Sequence, residues 1–303
     1  MKRSLVHIFA IVALVVLIVG SSIGADRRYE KKFSVSPGGT FTLATDVGDV
    51  EFSGTSSGEV SIVADIRGKQ REVDGFDISA WQNSDGVEVK GKSNRSSWFS
   101  WFNDGLEVRY TILLPQEYGI HVNTSGGDIS VRDLKGKVQG ETSGGDLILR
   151  NVEGFIGLET SGGNIRAEKL TGDVHMETSG GDIQLTSVAG GVDVSTSGGN
   201  IRLSEIDGKI KGETSGGDVI VGLRGDNKGI AVETSGGDID ILVPGNISAN
   251  IDASTTGGEV RCDLPVTMSG RFDESRIRGT INGGGNPIHA HTSGGDVRIK
   301  SAK

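Results

Sequence analysis

From Thr124 the chain repeats itself every 18 residues, as TSGGDISVRDLKGKVQGE, TSGGDLILRNVEGFIGLE, TSGGNIRAEKLTGDVHME, TSGGDIQLTSVAGGVDVS and TSGGNIRLSEIDGKIKGE, with no insertion between units. The motif continues at Thr214 and Thr234 in slightly longer units, weakens to TTGGEV at Thr255 and returns as TSGGDV at Thr292. A unit this short cannot enclose a core alone. It must stack on its neighbours, so a solenoid is the expected architecture.

The apolar positions give the shape of one coil. Ile129, Leu147, Ile165, Ile183, Ile201, Val219, Ile239 and Val260 follow the Gly-Gly-acid turn, and Val131, Leu149, Ala167, Leu185, Leu203, Val221, Ile241 and Cys262 come two residues later. A period of two is the signature of a strand with one face inward. Val138, Ile156, Val174, Val192 and Ile210 begin a second strand, whose next inward position holds Gly140, Leu158, Met176, Val194 and Gly212. The fold expected is therefore all-β, a single-chain parallel β-solenoid with about 18 residues per coil and capped ends, its successive strands about 4.8 Å apart. Three hexapeptide sides would also fill 18 residues, but no hexad passes through Ile129, Leu134 and Val138 in every coil. The glycine pair is expected to supply positive φ at one turn, and Gly136, Gly154, Gly172, Gly190 and Gly208 to mark the other.

Stacking identical units also stacks identical polar residues. Thr142, Thr160, Thr178, Thr196, Thr214 and Thr234 are expected to form a structural hydroxyl ladder, and Glu141, Glu159, Glu177, Glu213 and Glu233 an outward, solvated acidic stripe. Asp128, Asp146, Asp182, Asp218 and Asp238 lack the Gly-x-Gly-x-Asp context of calcium-binding β-rolls, and Asn164 and Asn200 interrupt their column, so bonding to nearby turn amides is expected in place of calcium.

The N-terminus, MKRSLVHIFAIVALVVLIVGSSIGA, sets Lys2 and Arg3 before an apolar run and small residues, the pattern of an export signal. Cleavage near Ala25 is the expected processing, with a retained N-terminal anchor as the alternative, and membrane contact is expected only if that segment stays. The expected organisation is a signal or anchor over residues 1–25, a divergent β entry or cap over 26–120, and the regular solenoid with its closing coils over 121–303. The formal net charge of −9 argues against nucleic acid as a partner. Cys262 is the single cysteine, so no internal disulfide can form.

A polysaccharide-cleaving β-helix would need a cluster of acids with a base or arginine where the repeat breaks locally, and no such cluster can be assembled. His121 and His175 share a column three coils apart, and His289 and His291 alternate on one strand face near the end. No catalytic residue, metal ligand or cofactor site is therefore expected. The feature that does break the repeat is SNRSSWFSWFND, residues 93–104, with Trp98, Phe99, Trp101 and Phe102 in a polar loop. These aromatics either close an open solenoid end or form an exposed platform that stacks on sugars or docks a partner.

Together the export signal, the Leu113-Leu114-Pro115 strand end, the repeated TSGGDI and the terminal GTINGGG turn resemble the bacterial putative adhesin family, β-strand-repeat envelope proteins built on a domain of unknown function. The resemblance covers most of the chain beyond the signal. It implies a cell-envelope location, periplasmic or at the surface, and in some members an association with envelope-stress systems, and it brings no catalytic residues. The expected function is that of a non-catalytic exported scaffold or adhesin-like interaction protein whose partner is an envelope polymer or protein. A glycan-binding module is the alternative, and a polysaccharide-cleaving enzyme a remote one.

Overall fold

The computed structural model describes residues 25–94, 105–268 and 273–302. Trp98, Phe99, Trp101 and Phe102, and the expected export segment up to Gly24, lie outside the described residues.

The chain is a parallel β-solenoid of two facing sheets, with 13 and 14 strands among the described residues. Each regular coil gives a five-residue strand such as Val138–Thr142 to the narrow sheet and a seven-residue strand such as Leu147–Glu153 to the wide sheet. The next coil pairs in parallel without slippage, Val138 to Ile156 in the narrow sheet and Leu147 to Ile165 in the wide one. Stacked coils thus put Ile on Ile and Thr on Thr, and a single apolar cluster runs through the molecule from Phe33 to Ile299.

The wide strands contain a bend that the period-two reading passes over. Asp133, Asn151, Lys169, Ser187 and Glu205 adopt φ of 57°, 55°, 59°, 58° and 56°, a left-handed residue at the same place in five coils. The extra residue turns the chain so that the next inward side chain follows Val131 by three positions. Leu134, Val152, Leu170, Val188 and Ile206 are buried as a result. A left-handed non-glycine residue costs about 1–2 kcal/mol, whereas burying a Leu, Val or Ile side chain contributes about 1.5–3 kcal/mol, so the bend is favourable even at Lys169 and Glu205.

The glycine pair works differently from expectation. Of these glycines only Gly127 has a φ in the left-handed range, at 116°. The second glycine is required because the coils approach backbone to backbone. A Cβ on Gly145 would lie 1.9 Å from the Gly127 carbonyl oxygen, and on Gly181 2.0 Å from that of Gly163. The first glycine has room, with nothing within 4 Å of a Cβ on Gly144 and the nearest atom 3.8 Å from one on Gly180.

The threonine column is buried and bonds through these glycines, not hydroxyl to hydroxyl. Thr178 Oγ1 donates to the Gly163 carbonyl one coil back at 2.9 Å and accepts from the Gly181 N–H at 3.3 Å. Thr160, Thr196 and Thr214 repeat both bonds. The turn acids form a second ladder. Asp146 Oδ1 accepts the Asn164 N–H at 2.7 Å, Asn164 Oδ1 the Asp182 N–H at 3.0 Å, and Asp182 Oδ1 the Asn200 N–H at 2.7 Å. The asparagines also donate sideways, Asn164 Nδ2 to Asp146 Oδ1 at 3.2 Å, separating carboxylates that would otherwise stack.

Both ends abandon chain order. Thr40–Thr45 and Asp49–Thr55 form a coil directly against Gly119–Thr124 and Ile129–Lys135, while the later strands Gly86–Ser93 and Glu107–Pro115 lie on its outer side. At the far end Val297 pairs with Ile239, and Val260 pairs with Val297. Column order alone places Val260 beside Ile239, yet the last coil, Pro287–Thr292 and Val297–Ala302, is intercalated between them. Side-chain amides fix this insertion. Asn227 Nδ2 donates to the Asn286 carbonyl at 2.6 Å and Asn286 Nδ2 to the Asn227 carbonyl at 2.8 Å.

Antiparallel strands finish each end. Ala25–Ser34 pairs with Glu59–Gly68, Phe76–Gln82 with Gly86–Ser93, and Arg276–Ile281 with Ala249–Thr255. Arg27 reaches from the first strand to the Phe76 carbonyl, Lys31 Nζ donates to the Ala80 carbonyl at 2.6 Å, and Gln82 Nε2 donates back to the Ser34 carbonyl at 3.0 Å. These bonds tie the outermost strands of the two sheets together, and the first strand carries charges that discourage edge pairing with another chain.

Candidate functional site: two charged sheet faces

Since the threonines and turn acids are engaged in the coil, the side chains free to meet a partner are those on the outer faces of the sheets. In a parallel stack every outward position becomes a column, so its charge depends on what the repeat places there. The narrow sheet carries Asn123, Glu141, Glu159, Glu177, Ser195, Glu213, Glu233 and His291 in one register column. The glutamates are exposed, as expected. Lys211 Nζ is 3.0 Å from Glu213 and 3.7 Å from Asp193. Among the described residues no Lys or Arg lies within ion-pair distance of Glu141, Glu159 or Glu177. Neighbouring carboxylates about 4.8 Å apart repel, so the run Glu141, Glu159 and Glu177 makes this column locally negative.

The outer face of the wide sheet is mixed in sign, with Asp133, Glu153 and Glu205 exposed on the same strands as Lys135 and Lys169. Its outer columns hold Arg132, Arg150, Arg166, Arg202, Arg298 and Lys300, with Glu51, Glu168 and Asp240 among them. Arg132 Nη1 lies 2.7 Å from Glu51, Arg166 Nη1 3.1 Å from Asp146 and Arg150 Nε 3.8 Å from Glu168, yet these side chains remain 51%, 54% and 66% exposed. Exposed pairs of this kind are worth little internally and leave the guanidinium groups available. Ile148 stands among them at 41% exposure, beside a shallow hollow of about 480 Å³ lined by Arg150, Arg166, Glu168, Gln184 and Thr186. These arginines are visible in the repeat itself, as the Arg after DISV and DLIL and the Arg of NIR.

His121, His175, His289 and His291 sit on the outer face of the narrow sheet. His121 and His175 occupy one column with Gln139 and Gly157 between them. His291 Nδ1 is 3.1 Å from Ser254 Oγ, and His175 Nδ1 is 3.8 Å from Asp193. Among the described residues no group of three or more His, Cys, Asp and Glu is arranged to hold a metal ion. Cys262 is half-buried, and burial pushes its thiol pKa up, which keeps the sulfur protonated and unreactive at neutral pH. At the far end of the wide sheet, the backbone N–H of Asp296 and then Arg298 hold the Asp238 carboxyl below the usual carboxylate range.

Gly86–Ser93 lies in the narrow sheet and Glu107–Pro115 in the wide sheet of the outermost parallel coil at the N-terminal end.

Residues 40–300 match the family model described as Toastrack DUF4097. Solved structures similar to the chain include one titled a putative cell adhesion protein from Clostridium sporogenes, at 14% identity and a TM-score of 0.24, covering 91% of this chain and 100% of that one. Another, titled a putative adhesin from Parabacteroides merdae, is 11% identical with a TM-score of 0.27, covering 90% of this chain and 96% of that one. No curated protein matches the sequence.

Proposed function

The chain belongs to the Toastrack DUF4097 family, and we propose that it is an exported, non-catalytic scaffold of the cell envelope that presents its flat sheet faces and the residue 93–104 loop to an envelope polymer or protein. The observation that carries this reading is the pair of outer faces. Charged side chains recur in register columns along the stack, a surface suited to extended, multivalent contact. An enclosed site for one small ligand is built differently, from a concave pocket with a few converging polar groups. The leader-like N-terminus supports export.

The test is affinity capture from a native envelope extract with the exported chain and with the same chain lacking residues 93–104, followed by glycan-array binding. Reproducible enrichment of one envelope component that falls on loop deletion supports the scaffold with the loop as its specific element. Saturable binding to a defined glycan would make the chain a glycan-binding module. Release of oligosaccharide products from envelope polysaccharide would overturn the non-catalytic reading.

A further inference from the structure

We propose that the outer face of the narrow sheet binds a linear, uncharged glycan, laid across the strands from Trp81 to Phe155. The inference rests on the scaffold reading and names the chemical class of its polymer partner and the residues that hold it.

Phe155 is the one aromatic among the large apolar side chains exposed in the described residues, at 44%. It breaks its column, in which the coils on either side carry Lys137 and Asp173. The same coil also breaks the neighbouring outward column, with Gly157 between Gln139 and His175. The two departures belong together. A Cβ on Gly157 would stand 3.1 Å from Phe155 Cε1 and 3.5 Å from Cζ, so the missing side chain makes room for the ring on the sheet face.

From Gly157 the register line runs toward the N-terminal end through Gln139, His121, Thr42 and Glu88 to Trp81. Trp81 is half-buried and points outward, since its strand neighbour Ala80 is buried in the core. Five strand spacings separate the two aromatic positions, about 24 Å. The residues between them are all polar. An aromatic ring at either end with donors and acceptors between them complements a sugar chain. The C–H face of a pyranose carries polarised hydrogens that meet the negative face of an aromatic ring, and its hydroxyls both donate and accept. Lys90 Nζ lies 5.1 Å from the Trp81 ring centroid and Lys137 Nζ 5.5 Å from that of Phe155. Exposed cation–π contacts are weak, so each ammonium can turn to a sugar oxygen.

Two other occupants fit less well. A protein partner needs a contiguous apolar centre around its anchors, whereas Phe155 stands among Lys137, Gln139 and His175. An anionic polymer would run beside Glu141, Glu159 and Glu177 in the next outward column and be repelled.

The experiment is titration calorimetry of the exported chain with two length series of neutral oligosaccharides, of glucose and of N-acetylglucosamine, at low and high salt. The expected result is an affinity that rises with length in at least one series, levels off once the oligomer reaches both rings, and does not change with salt. Trp81→Ala and Phe155→Ala are each expected to weaken the longest oligomer roughly tenfold, and the double variant to weaken it further. Trp81→Phe and Phe155→Tyr keep a ring and should retain most of the affinity, which separates loss of the platform from loss of the fold. The proposal is overturned by no binding in either series at roughly 1 mM, by binding that both alanine changes leave intact, or by stronger binding of a uronic acid oligomer. Capture of an envelope protein whose binding falls with the same two substitutions also overturns it. Any of these leaves the scaffold reading standing as long as the envelope capture still enriches a partner.

Discussion

The coils between Gly119 and Pro244 and the coils at the two ends use the same kind of strand but obey different rules of assembly. In the middle each coil follows its predecessor in sequence, and strand pairing among those coils joins residues about one repeat apart, as does the Thr178 bond to Gly163. At the ends the chain leaves and returns, so that residues 287–302 pair with both 230–244 and 249–262. The middle can in principle be lengthened or shortened one unit at a time, as nearest-neighbour energetics allow. The ends cannot, because each is held by a strand from elsewhere in the chain.

The largest test of this contrast is deletion of residues 286–303. In a stack assembled in chain order, losing the last coil only shortens the rod. Here it removes the strands between Ile230–Thr234 and Ala249–Thr255, so residues 249–281 should lose hydrogen-exchange protection while the coils from Gly119 to Leu223 keep theirs. Retained protection at 249–281 would mean that the intercalated coil is dispensable.

Within the regular coils the paired glycines should behave unequally. Gly181→Ala drives a Cβ to within 2.0 Å of the Gly163 carbonyl oxygen, whereas the same change at Gly180 meets its first atom at 3.8 Å. Chemical denaturation should show a loss of about 1–3 kcal/mol for Gly181→Ala and a change within about 0.5 kcal/mol for Gly180→Ala. Equal effects would show that the pair is needed for chain flexibility and not for close coil approach.

Thr178→Val keeps the shape but leaves the Gly163 carbonyl and the Gly181 N–H without their partner. The expected cost is about 1–3 kcal/mol, with Thr178→Ser recovering part of it because the hydroxyl returns. The same substitution at Thr45, in the N-terminal coil, loses bonds to the Val47 carbonyl and the Tyr110 hydroxyl instead, which makes it a direct comparison of repeat and end.

The smallest effects concern charge. Asn164→Asp would place a third carboxylate between Asp146 and Asp182 and remove the Asn164 Nδ2 donor, so its melting temperature should fall and partly recover with added salt. At the C-terminal end the depressed pKa of Asp238 means that its contribution to stability is complete above the ordinary carboxylate range and lost as the pH falls below it. Arg298→Met should flatten this acid limb slightly, because Arg298 is the second source of the shift after the Asp296 N–H.

Much of the fold could be read from the sequence because an exact repeat turns each residue into a column. The inward positions at Ile129, Val131 and Val138 and the exposure of Glu141, Glu159 and Glu177 follow from period and alternation. The left-handed bend at Asp133 did not, since Asp, Asn, Lys, Ser and Glu share no propensity that would announce it, and only the burial of Leu134 explains its position. The role of the second glycine was also hidden. A glycine in sequence signals freedom of φ, whereas Gly145 serves the absence of a Cβ against a carbonyl that arrives from the coil before it.

The sequence by itself determined the coil, its inward columns and the charge that each outward column would carry, because those depend on local spacing and on identical units stacking in register. The tertiary structure alone decided the order of the end coils and the close approach of each second glycine to a carbonyl of the coil before. Pairing between distant strands is governed by backbone hydrogen bonds open to any strand of the right length. Asn227 with Asn286 at one end, and Arg27, Lys31 and Gln82 at the other, fix the choice through contacts that no local pattern reveals.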